Sequence, residues 1–175
     1  IPEADVWLVV DLLRATTTIT TFFERGGRLL LPVATVQEAR VLREQDPSWL
    51  LMGERNALPP KGFDLGNSPR ELTPEVLSRR PMAVMTTTNG TRALARVASQ
   101  GGPVLAACAR NAGAVVRKAL SMGERLGVLC AGRFGRQALD DTACAGLLVE
   151  LFREMAPTAE LDDGALLALA FWRQG

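Results

Sequence analysis

Short apolar runs alternate with amphipathic stretches along the whole chain. Six of these runs are four to six residues long and largely apolar, which is typical of strands buried on both faces. The predicted strands cover residues 5–10, 29–33, 49–52, 82–85, 104–107 and 126–130. The intervening stretches predict helices over residues 17–24, 36–45, 91–100, 112–122 and 141–155. A further short helix should open at Thr73, with Pro74 at its first helical position.

This alternation predicts an α/β fold, a three-layer α/β/α arrangement with a largely parallel sheet of about six strands. No repeat or linker divides the chain, so residues 1–175 should form a single domain. The sequence opens with Ile1 rather than Met, and truncation at one or both termini is therefore expected. The longest apolar stretch, residues 165–172, is well short of the roughly 18 residues a membrane helix needs. With no leader pattern either, we expect a cytoplasmic location.

Charge and composition narrow the possible functions. The chain has 20 Lys and Arg against 19 Asp and Glu, without a run of like charge, which argues against nucleic-acid or membrane partners. It has no His, which removes imidazole as a base and as a metal ligand.

Its three cysteines lack Cys-x-x-Cys spacing, which favours a reducing compartment. Cys130, at a strand end, could act as a nucleophile, but a buried structural thiol is the favoured interpretation. A monomer and a homodimer fit equally well.

Acidic residues follow three of the predicted strands. Asp11 comes after the first, Glu54 after the third, and Asp140 and Asp141 after the sixth. Ligands of open α/β sheets gather where the carboxyl ends of the strands meet, so these side chains should converge. Clustered carboxylates repel one another, and Mg²⁺ is the natural counter-ion for a site with only oxygen donors. The alternative is that Asp11 and Asp141 simply cap the helices that follow them.

Two threonine-rich turns should lie at the same edge. Residues 86–91 follow the fourth strand and lead into a helix, and Thr16–Thr18 repeat the arrangement beside Asp11 and Arg14. Free N–H groups at a helix start, with hydroxyls and a glycine nearby, can bind a phosphate, sulfonate or carboxylate. Arg14 could hold one oxyanion through a two-pronged contact. Simple helix capping remains the alternative. The long loop over residues 53–71 is predicted to be functional.

Five blocks in matching order resemble the 2-phosphosulfolactate phosphatase family. They are VVDLLRATTT at 9–18, GE at 53–54, GFDLGNSP at 62–69, TTNGT at 87–91, and CAG at 130–132 with DT at 141–142. The resemblance implies a Mg²⁺-dependent phosphatase that converts 2-phospho-3-sulfolactate to 3-sulfolactate and phosphate on a route to coenzyme M. The implied partner is a small dianionic phosphorylated substrate. Asp140 stands where family members often carry Glu, which puts Asp140 in doubt as a ligand.

The resemblance and the turns together define a predicted site. Catalytic roles are predicted for Asp11, Arg14, Glu54 and Asp141, and metal binding for Asp11, Glu54 and Asp141. The predicted substrate-binding residues are Thr16, Thr17, Asn67, Ser68, Thr88, Asn89, Gly90, Thr91 and Gly132. Attack by Asp11 itself and attack by water both remain open. Two alternatives also remain, a phosphatase acting on another small phosphorylated organic acid and a non-catalytic anion-binding module.

Overall fold

A computed structural model describes residues 3–174 and contains all six predicted strands, each within a residue of its expected ends. The strands are β1 (Val6–Val10), β2 (Leu29–Pro32), β3 (Leu50–Gly53), β4 (Met82–Thr86), β5 (Val104–Ala107) and β6 (Leu126–Cys130). Every residue of β1 and β3 is buried, as their uniform hydrophobicity requires.

The strands form two parallel sheets of three strands each. The first sheet has the order β5-β1-β6 and the second β2-β4-β3. The predicted α/β class and parallel pairing are confirmed, although the six strands divide into two sheets instead of forming one. Side-chain packing joins the sheets, because Trp7 and Val9 of β1 share a core cluster with Met52 of β3 and Met85 of β4.

The helices are α1 (Ala15–Glu24), α2 (Val36–Gln45), α3 (Pro74–Arg79), α4 (Gly90–Ala98), α5 (Ala112–Leu120), α6 (Leu139–Met155) and α7 (Asp163–Gln174), with short 3-10 turns at Pro69–Glu71 and Ala109–Asn111. α2 has its predicted bounds, and α3 starts with Thr73 accepting a hydrogen bond from the N–H of Val76. α1 and α6 each begin two residues earlier than predicted, whereas α4 and α5 each end two residues earlier. α4 contacts strands of both sheets. It starts after the carboxyl end of β4, and its first residue, Gly90, packs on Asp11, which follows β1.

The predicted set of helices missed α7. Its apolar run, residues 165–172, is too short for a membrane helix, yet Asp162 starts a helix there by accepting a hydrogen bond from the N–H of Ala165 at 2.8 Å. The helix packs on α6, where Gly146 lies against the backbone of Ala168. Within residues 3–174, none of the helices combines the length and the apolar character that crossing a bilayer requires.

Candidate active site

Asp11 lies directly after β1 and is held through both its backbone and its side chain. Its carboxylate Oδ1 accepts a hydrogen bond from the N–H of Ala15 at 3.0 Å, at the start of α1. The Thr16 hydroxyl accepts from the N–H of Asp11 at 3.1 Å and donates to its carbonyl at 2.9 Å. Only 9% of Asp11 is exposed. Asp11 thus supports the start of α1, as the capping alternative proposed, and also presents a fixed carboxylate.

The second oxygen of Asp11 faces the start of α4. A Cβ added to Gly90 would lie 2.5 Å from Asp11 Oδ2 and 2.4 Å from the Cβ of Ala15, closer than atoms can approach. Glycine is therefore required here for close packing, since it lets α4 begin directly against the carboxylate. Besides its predicted role in substrate binding, Gly90 thus allows α4 to pack closely against Asp11.

Asp141 lies in the first turn of α6 and is 3% exposed. Its Oδ1 accepts from the N–H of Leu12 at 2.8 Å, and its Oδ2 accepts from the N–H of Gly132 at 2.9 Å. The carboxylate therefore joins the loop after β1 to the loop after β6. Because neither bond goes to the N–H groups of its own helix, the capping alternative for Asp141 is wrong.

Gly132 fits this arrangement because of its backbone conformation. Its φ is +69°, and a Cβ would come within 2.4 Å of the carbonyl oxygen of Arg136. The following residues, Arg133 to Arg136, close a tight turn through two mutual backbone hydrogen bonds of 2.8 and 3.0 Å. The predicted substrate contact of Gly132 would have to share its N–H with Asp141.

The Asp11–Asp141 pair is electrostatically uncompensated. Burial is the main cause that raises the pKa of Asp141 to about 6, and the charges of Asp11 and Asp140 add to it against the two N–H bonds. Burial likewise raises the pKa of Asp11, against the N–H groups of Ala15 and Arg14. Within residues 3–174 no Arg or Lys forms a salt bridge with either carboxylate. A cation from outside the chain would relieve the repulsion.

Glu54 lies after β3 as predicted, but its oxygens are used elsewhere. Oε1 accepts from the N–H of Thr88 at 2.7 Å, and Oε2 accepts from the N–H of Ala57 at 2.9 Å and the Thr88 hydroxyl at 3.1 Å. Burial pushes the pKa of Glu54 up, but these hydrogen bonds and the charge of Arg55 outweigh burial, and the pKa is lowered. Glu54 is thus a stable anion that fixes the turn after β4.

The predicted cage of three carboxylates is not formed. In the part of the chain that the structure describes, no group of three or more Cys, Asp or Glu side chains could hold a metal ion. Both oxygens of Glu54 accept hydrogen bonds from Thr88 or Ala57. After burial, the charges of Glu54 and Asp140 are what raise the pKa of Asp11. Asp11 and Asp141 remain as a pair of candidate ligands. A pair still suits Mg²⁺, which proteins often bind through one or two carboxylates, with waters and substrate phosphates completing the shell.

The turn at residues 86–91 offers fewer free donors than predicted. Thr87 and Thr91 bond to each other, N–H to hydroxyl in both directions at 3.0 Å, and Thr88 donates to Glu54. No hydrogen bond from the N–H of Asn89 or Gly90 is found among residues 3–174. Any anion bound by this backbone would therefore meet Asn89 and Gly90.

The threonine-rich turn at Thr16–Thr18 has its hydroxyls in hydrogen bonds, whereas the long loop contains a buried polar atom without a hydrogen-bond partner. The Thr17 hydroxyl donates to the carbonyl of Leu12 at 2.8 Å, and Thr16 is committed to Asp11, so this turn holds the Asp11 loop instead of offering hydroxyls. Asn67 is 5% exposed, its carbonyl receives the Thr18 hydroxyl at 3.4 Å, and its buried Oδ1 has no hydrogen-bond partner. Ser68 precedes the 3-10 turn and is half-buried.

Two arginines flank the site. Arg14 immediately precedes α1, after a cis Leu13–Arg14 peptide bond, and is half-buried without a salt bridge to any of residues 3–174. Arg55 donates to the Thr86 hydroxyl at 2.8 Å, a connection that sequence reasoning missed. The position of Arg55 directly after Glu54 was the sequence feature that could have indicated it.

Cys130 is half-buried and its Sγ lies 3.5 Å from the carbonyl oxygen of Asp141, where it can donate a hydrogen bond.

Comparison with known proteins identifies the family. A family model described as 2-phosphosulpholactate phosphatase matches residues 1–175. The chain belongs to the 2-phosphosulfolactate phosphatase family. The predicted family is thereby confirmed, and with it the predicted enzyme class, a phosphoric monoester hydrolase.

Similar proteins from several bacteria carry the name "Probable 2-phosphosulfolactate phosphatase". The Deinococcus radiodurans protein is 45% identical over 172 residues, which is 98% of this chain and 71% of the relative. The Thermus thermophilus protein is 43% identical, over 97% of this chain and 70% of its own length. The Pseudothermotoga lettingae protein is 37% identical, over 99% and 72% respectively.

Proposed function

We propose that this chain hydrolyses 2-phospho-3-sulfolactate to 3-sulfolactate and phosphate in a Mg²⁺-dependent reaction. The substrate is supported by the name of the relatives. The metal is supported by one observation, the buried Asp11–Asp141 pair without a compensating cation. A role in coenzyme M formation, a cytoplasmic location and a homodimer stay predictions.

Asp11 and Asp141 are the residues that would hold Mg²⁺. When bound, the ion neutralises charge on the phosphoryl oxygens and lowers the pKa of bound water. Asp141 would contribute through a carboxylate whose orientation is fixed by Leu12 and Gly132, so its position does not depend on the ligand. Glu54 has a positioning role in this proposal, because it holds the turn at Thr88.

The chain's own donors would bind the phosphoryl group. The N–H groups of Asn89 and Gly90 lie at the start of α4 beside Asp11, and the helix start favours negative charge. Arg14 would donate to a further oxygen through its planar guanidinium. These donors orient phosphorus toward Asp11 Oδ2, the carboxylate oxygen that faces the same helix start.

The attacking group is either Asp11 Oδ2 or water. If Asp11 attacks, its Oδ2 bonds to phosphorus, the bond between phosphorus and the ester oxygen breaks, and 3-sulfolactate leaves as the alcohol after taking a proton from water; water then cleaves the acyl phosphate and releases phosphate. If water attacks, a carboxylate takes its proton and the same ester bond breaks. Acid quenching during turnover of a radiolabelled substrate separates the two, because only the first route leaves label on the protein.

The experiment that tests the function measures phosphate release from 2-phosphosulfolactate by the purified protein, with Mg²⁺ and with excess EDTA. We expect turnover with Mg²⁺ and loss of turnover with EDTA. Faster release from 2-phospholactate or 3-phosphoglycerate would instead assign another phosphorylated acid as substrate. Binding of 2-phosphosulfolactate without release of phosphate under any divalent metal would contradict catalysis and favour an anion-binding module.

A further inference from the structure

Asn67, in the long loop after β3, has a buried side chain whose oxygen has no hydrogen-bond partner. The residue is 5% exposed, and its Oδ1 is the one fully buried side-chain oxygen or nitrogen that lacks a partner within residues 3–174. Leaving a buried acceptor unpaired destabilises a fold, so the presence of this atom needs an explanation. Nδ2 has no partner among these residues either, but it is not fully buried. Nδ2 is therefore the amide atom that a ligand can reach.

The amide of Asn67 does not hold the loop in place, because other groups do so. The N–H of Gly66 donates to the carboxylate of Glu71 at 2.8 Å. Arg25 of α1 donates to the carbonyl of Pro69 at 3.1 Å. Asparagines with structural roles in loops usually bond to nearby backbone groups through their side chains. The side chain of Asn67 makes no such bond, although the backbone on both sides of it is fixed.

Contacts with α1 place Asn67 beside the proposed phosphoryl site. The carbonyl of Asn67 accepts a hydrogen bond from the Thr18 hydroxyl at 3.4 Å. Thr18 follows Ala15 by three residues, which puts both on one face of α1, about 4.5 Å apart along the helix axis. Both are fully buried, and Ala15 is the residue against which Gly90 packs. One face of α1 therefore contacts Asn67 and, less than a turn earlier, the start of α4.

Contacts with the second sheet lead to the same place. Gly53, at the carboxyl end of β3, donates to the carbonyl of Gly66, the neighbour of Asn67, at 3.2 Å. Gly53 also packs closely against the carbonyl of Thr86, the last residue of β4. The turn that follows Thr86 leads directly to Gly90. Asn67 thus lies where α1, the end of β3 and the turn after β4 meet, and its buried side chain is enclosed there.

We propose that Nδ2 of Asn67 donates a hydrogen bond to an oxygen of the carboxylate or the sulfonate of the substrate, while the phosphoryl group lies at Asp11 and Gly90. The inference rests on the proposed function for the identity of the ligand. The oxyanions of the substrate only accept hydrogen bonds, so an amide that faces them presents its nitrogen and leaves its oxygen buried. Asn67 is then a substrate-binding residue that fixes the end of the molecule remote from phosphorus.

The test combines binding of 3-sulfolactate, which keeps both acid groups, with unfolding in urea. Asn67→Leu replaces the amide with an apolar side chain of similar size, and Asn67→Ala removes it. Because a hydrogen bond to a charged group is lost, we expect both variants to bind 3-sulfolactate at least about tenfold more weakly by calorimetry in Mg²⁺. The urea midpoint of Asn67→Leu should stay equal or rise, since the unpaired buried oxygen is removed.

Asn111 provides the matched control, because both atoms of its amide are paired within the chain. Its Oδ1 accepts from the N–H of Cys108 at 2.9 Å, and its Nδ2 donates to the carbonyl of Ala106 at 2.9 Å. Asn111→Leu should therefore lower the urea midpoint and change sulfolactate binding less than about twofold. A midpoint lowered as much in Asn67→Leu would show a structural amide and overturn the inference, as would unchanged binding in both Asn67 variants.

Inorganic phosphate tests which end of the substrate Asn67 contacts. It can occupy the phosphoryl site but carries neither acid group, so its affinity should change less than about twofold in Asn67→Ala. If phosphate binding weakened as strongly as that of 3-sulfolactate, Asn67 would belong to the phosphoryl end and the inference would be overturned.

Turnover separates this inference from the proposed function. If both hold, Asn67→Ala lowers kcat/KM for 2-phosphosulfolactate about tenfold or more, whereas Asn111→Leu does not. The drop should disappear for the ester that lacks the bound group, either 2-phospholactate, without the sulfonate, or the phosphate ester of 2-hydroxyethanesulfonate, without the carboxylate. Unchanged turnover of 2-phosphosulfolactate in both Asn67 variants keeps the function and rejects the role of Asn67. Weaker sulfolactate binding in Asn67→Ala, in a chain that hydrolyses none of these esters, keeps Asn67 and rejects the function.

Discussion

The buried Asp141 and the partly exposed Asp64 both accept hydrogen bonds from backbone N–H groups, but only Asp64 has arginine partners. Asp141 accepts from the N–H groups of Leu12 and Gly132 at the end of the first sheet. Asp64 accepts from the N–H of Leu51 at 2.8 Å beside the second sheet, and also forms salt bridges with Arg43 and, at 2.8 Å, Arg80.

The difference appears in the two pKa values. Burial raises the pKa of Asp141 to about 6, since two N–H bonds do not offset it. Burial also acts on Asp64, but the Leu51 N–H and the two arginines reverse the outcome and its pKa is lowered. Asp64 is thus balanced by two arginines, whereas neither Asp11 nor Asp141 forms a salt bridge within residues 3–174.

The largest expected effect comes from neutralising one member of the uncompensated pair. Asp11→Asn keeps an oxygen to accept from Ala15 but removes the negative charge, so we expect activity to fall roughly a thousandfold, about 4 kcal/mol. Stability should stay equal or rise, because the substitution removes buried like-charge repulsion. Steady-state phosphate release and thermal melting check both. A folded variant with undiminished turnover would exclude Asp11 from the reaction.

A second substitution tests whether the position of Asp11 matters. Gly90→Ala places a methyl group against Asp11 Oδ2 and the fully buried Ala15, neither of which can move freely. We expect about a hundredfold loss in kcat/KM from the displaced carboxylate, and about 1–3 kcal/mol lower stability.

Gly113→Ala is the matched control for Gly90→Ala. Gly113 lies within α5, where a Cβ would meet only the end of the Arg117 side chain at 3.5 Å. Alanine is the better helix former by up to about 1 kcal/mol, so this variant should be as stable as the unmodified chain or more so, with unchanged activity. Equal activity in both variants would show that close packing at Gly90 is unimportant.

The compensated carboxylate should behave in the opposite way. Asp64→Asn weakens the contacts to Arg43 and Arg80, and because the carboxylate is 26% exposed we expect only about 1–3 kcal/mol lower stability at pH 7. Turnover at saturating substrate should change less than about twofold, since Asp64 is paired away from the Asp11–Asp141 site. Chemical denaturation and phosphate release measure the two quantities.

The pH dependence of this stability difference has a definite sign. The pKa of Asp64 is lowered in the folded state, so its contribution is present above the ordinary value of 3.8 and is lost as the pH falls through the folded value. The gap in unfolding free energy between the unmodified chain and Asp64→Asn should therefore shrink below about pH 4. A gap that persists undiminished at pH 2 would contradict the ion-pair explanation.

Local patterns predicted the strands well, because β1 is apolar throughout and β3 and β4 are apolar up to their last residues, Gly53 and Thr86. The division into two sheets was not predictable from such patterns, since strand order depends on long-range pairing such as Val9 with Ala106 and Leu129. Helix α7 was missed because its apolar residues were considered only as a membrane segment.

The candidate site shows the same limit. Topology predicted that loops after β1 and β6 meet, and Asp141 does bond to Leu12 across 129 residues. The sequence pattern does not indicate which N–H or hydroxyl groups donate hydrogen bonds to each carboxylate. Glu54 follows its strand in the same way as Asp11, but its longer side chain reaches Thr88 and Ala57.

The smallest expected effect concerns the thiols near Asp141. Burial, with the charge of Asp141, raises the pKa of Cys130 to about 12, and burial raises that of Cys144 to about 12 as well. At pH 8 the thiolate fraction is then on the order of one in ten thousand, too small for efficient attack on phosphorus. Cys130→Ser should keep turnover within about twofold, and both thiols should resist iodoacetamide in the folded chain while reacting readily in denaturant. Loss of turnover in Cys130→Ser, together with rapid alkylation that substrate prevents, would make Cys130 the nucleophile and leave the uncompensated carboxylates without the role assigned to them.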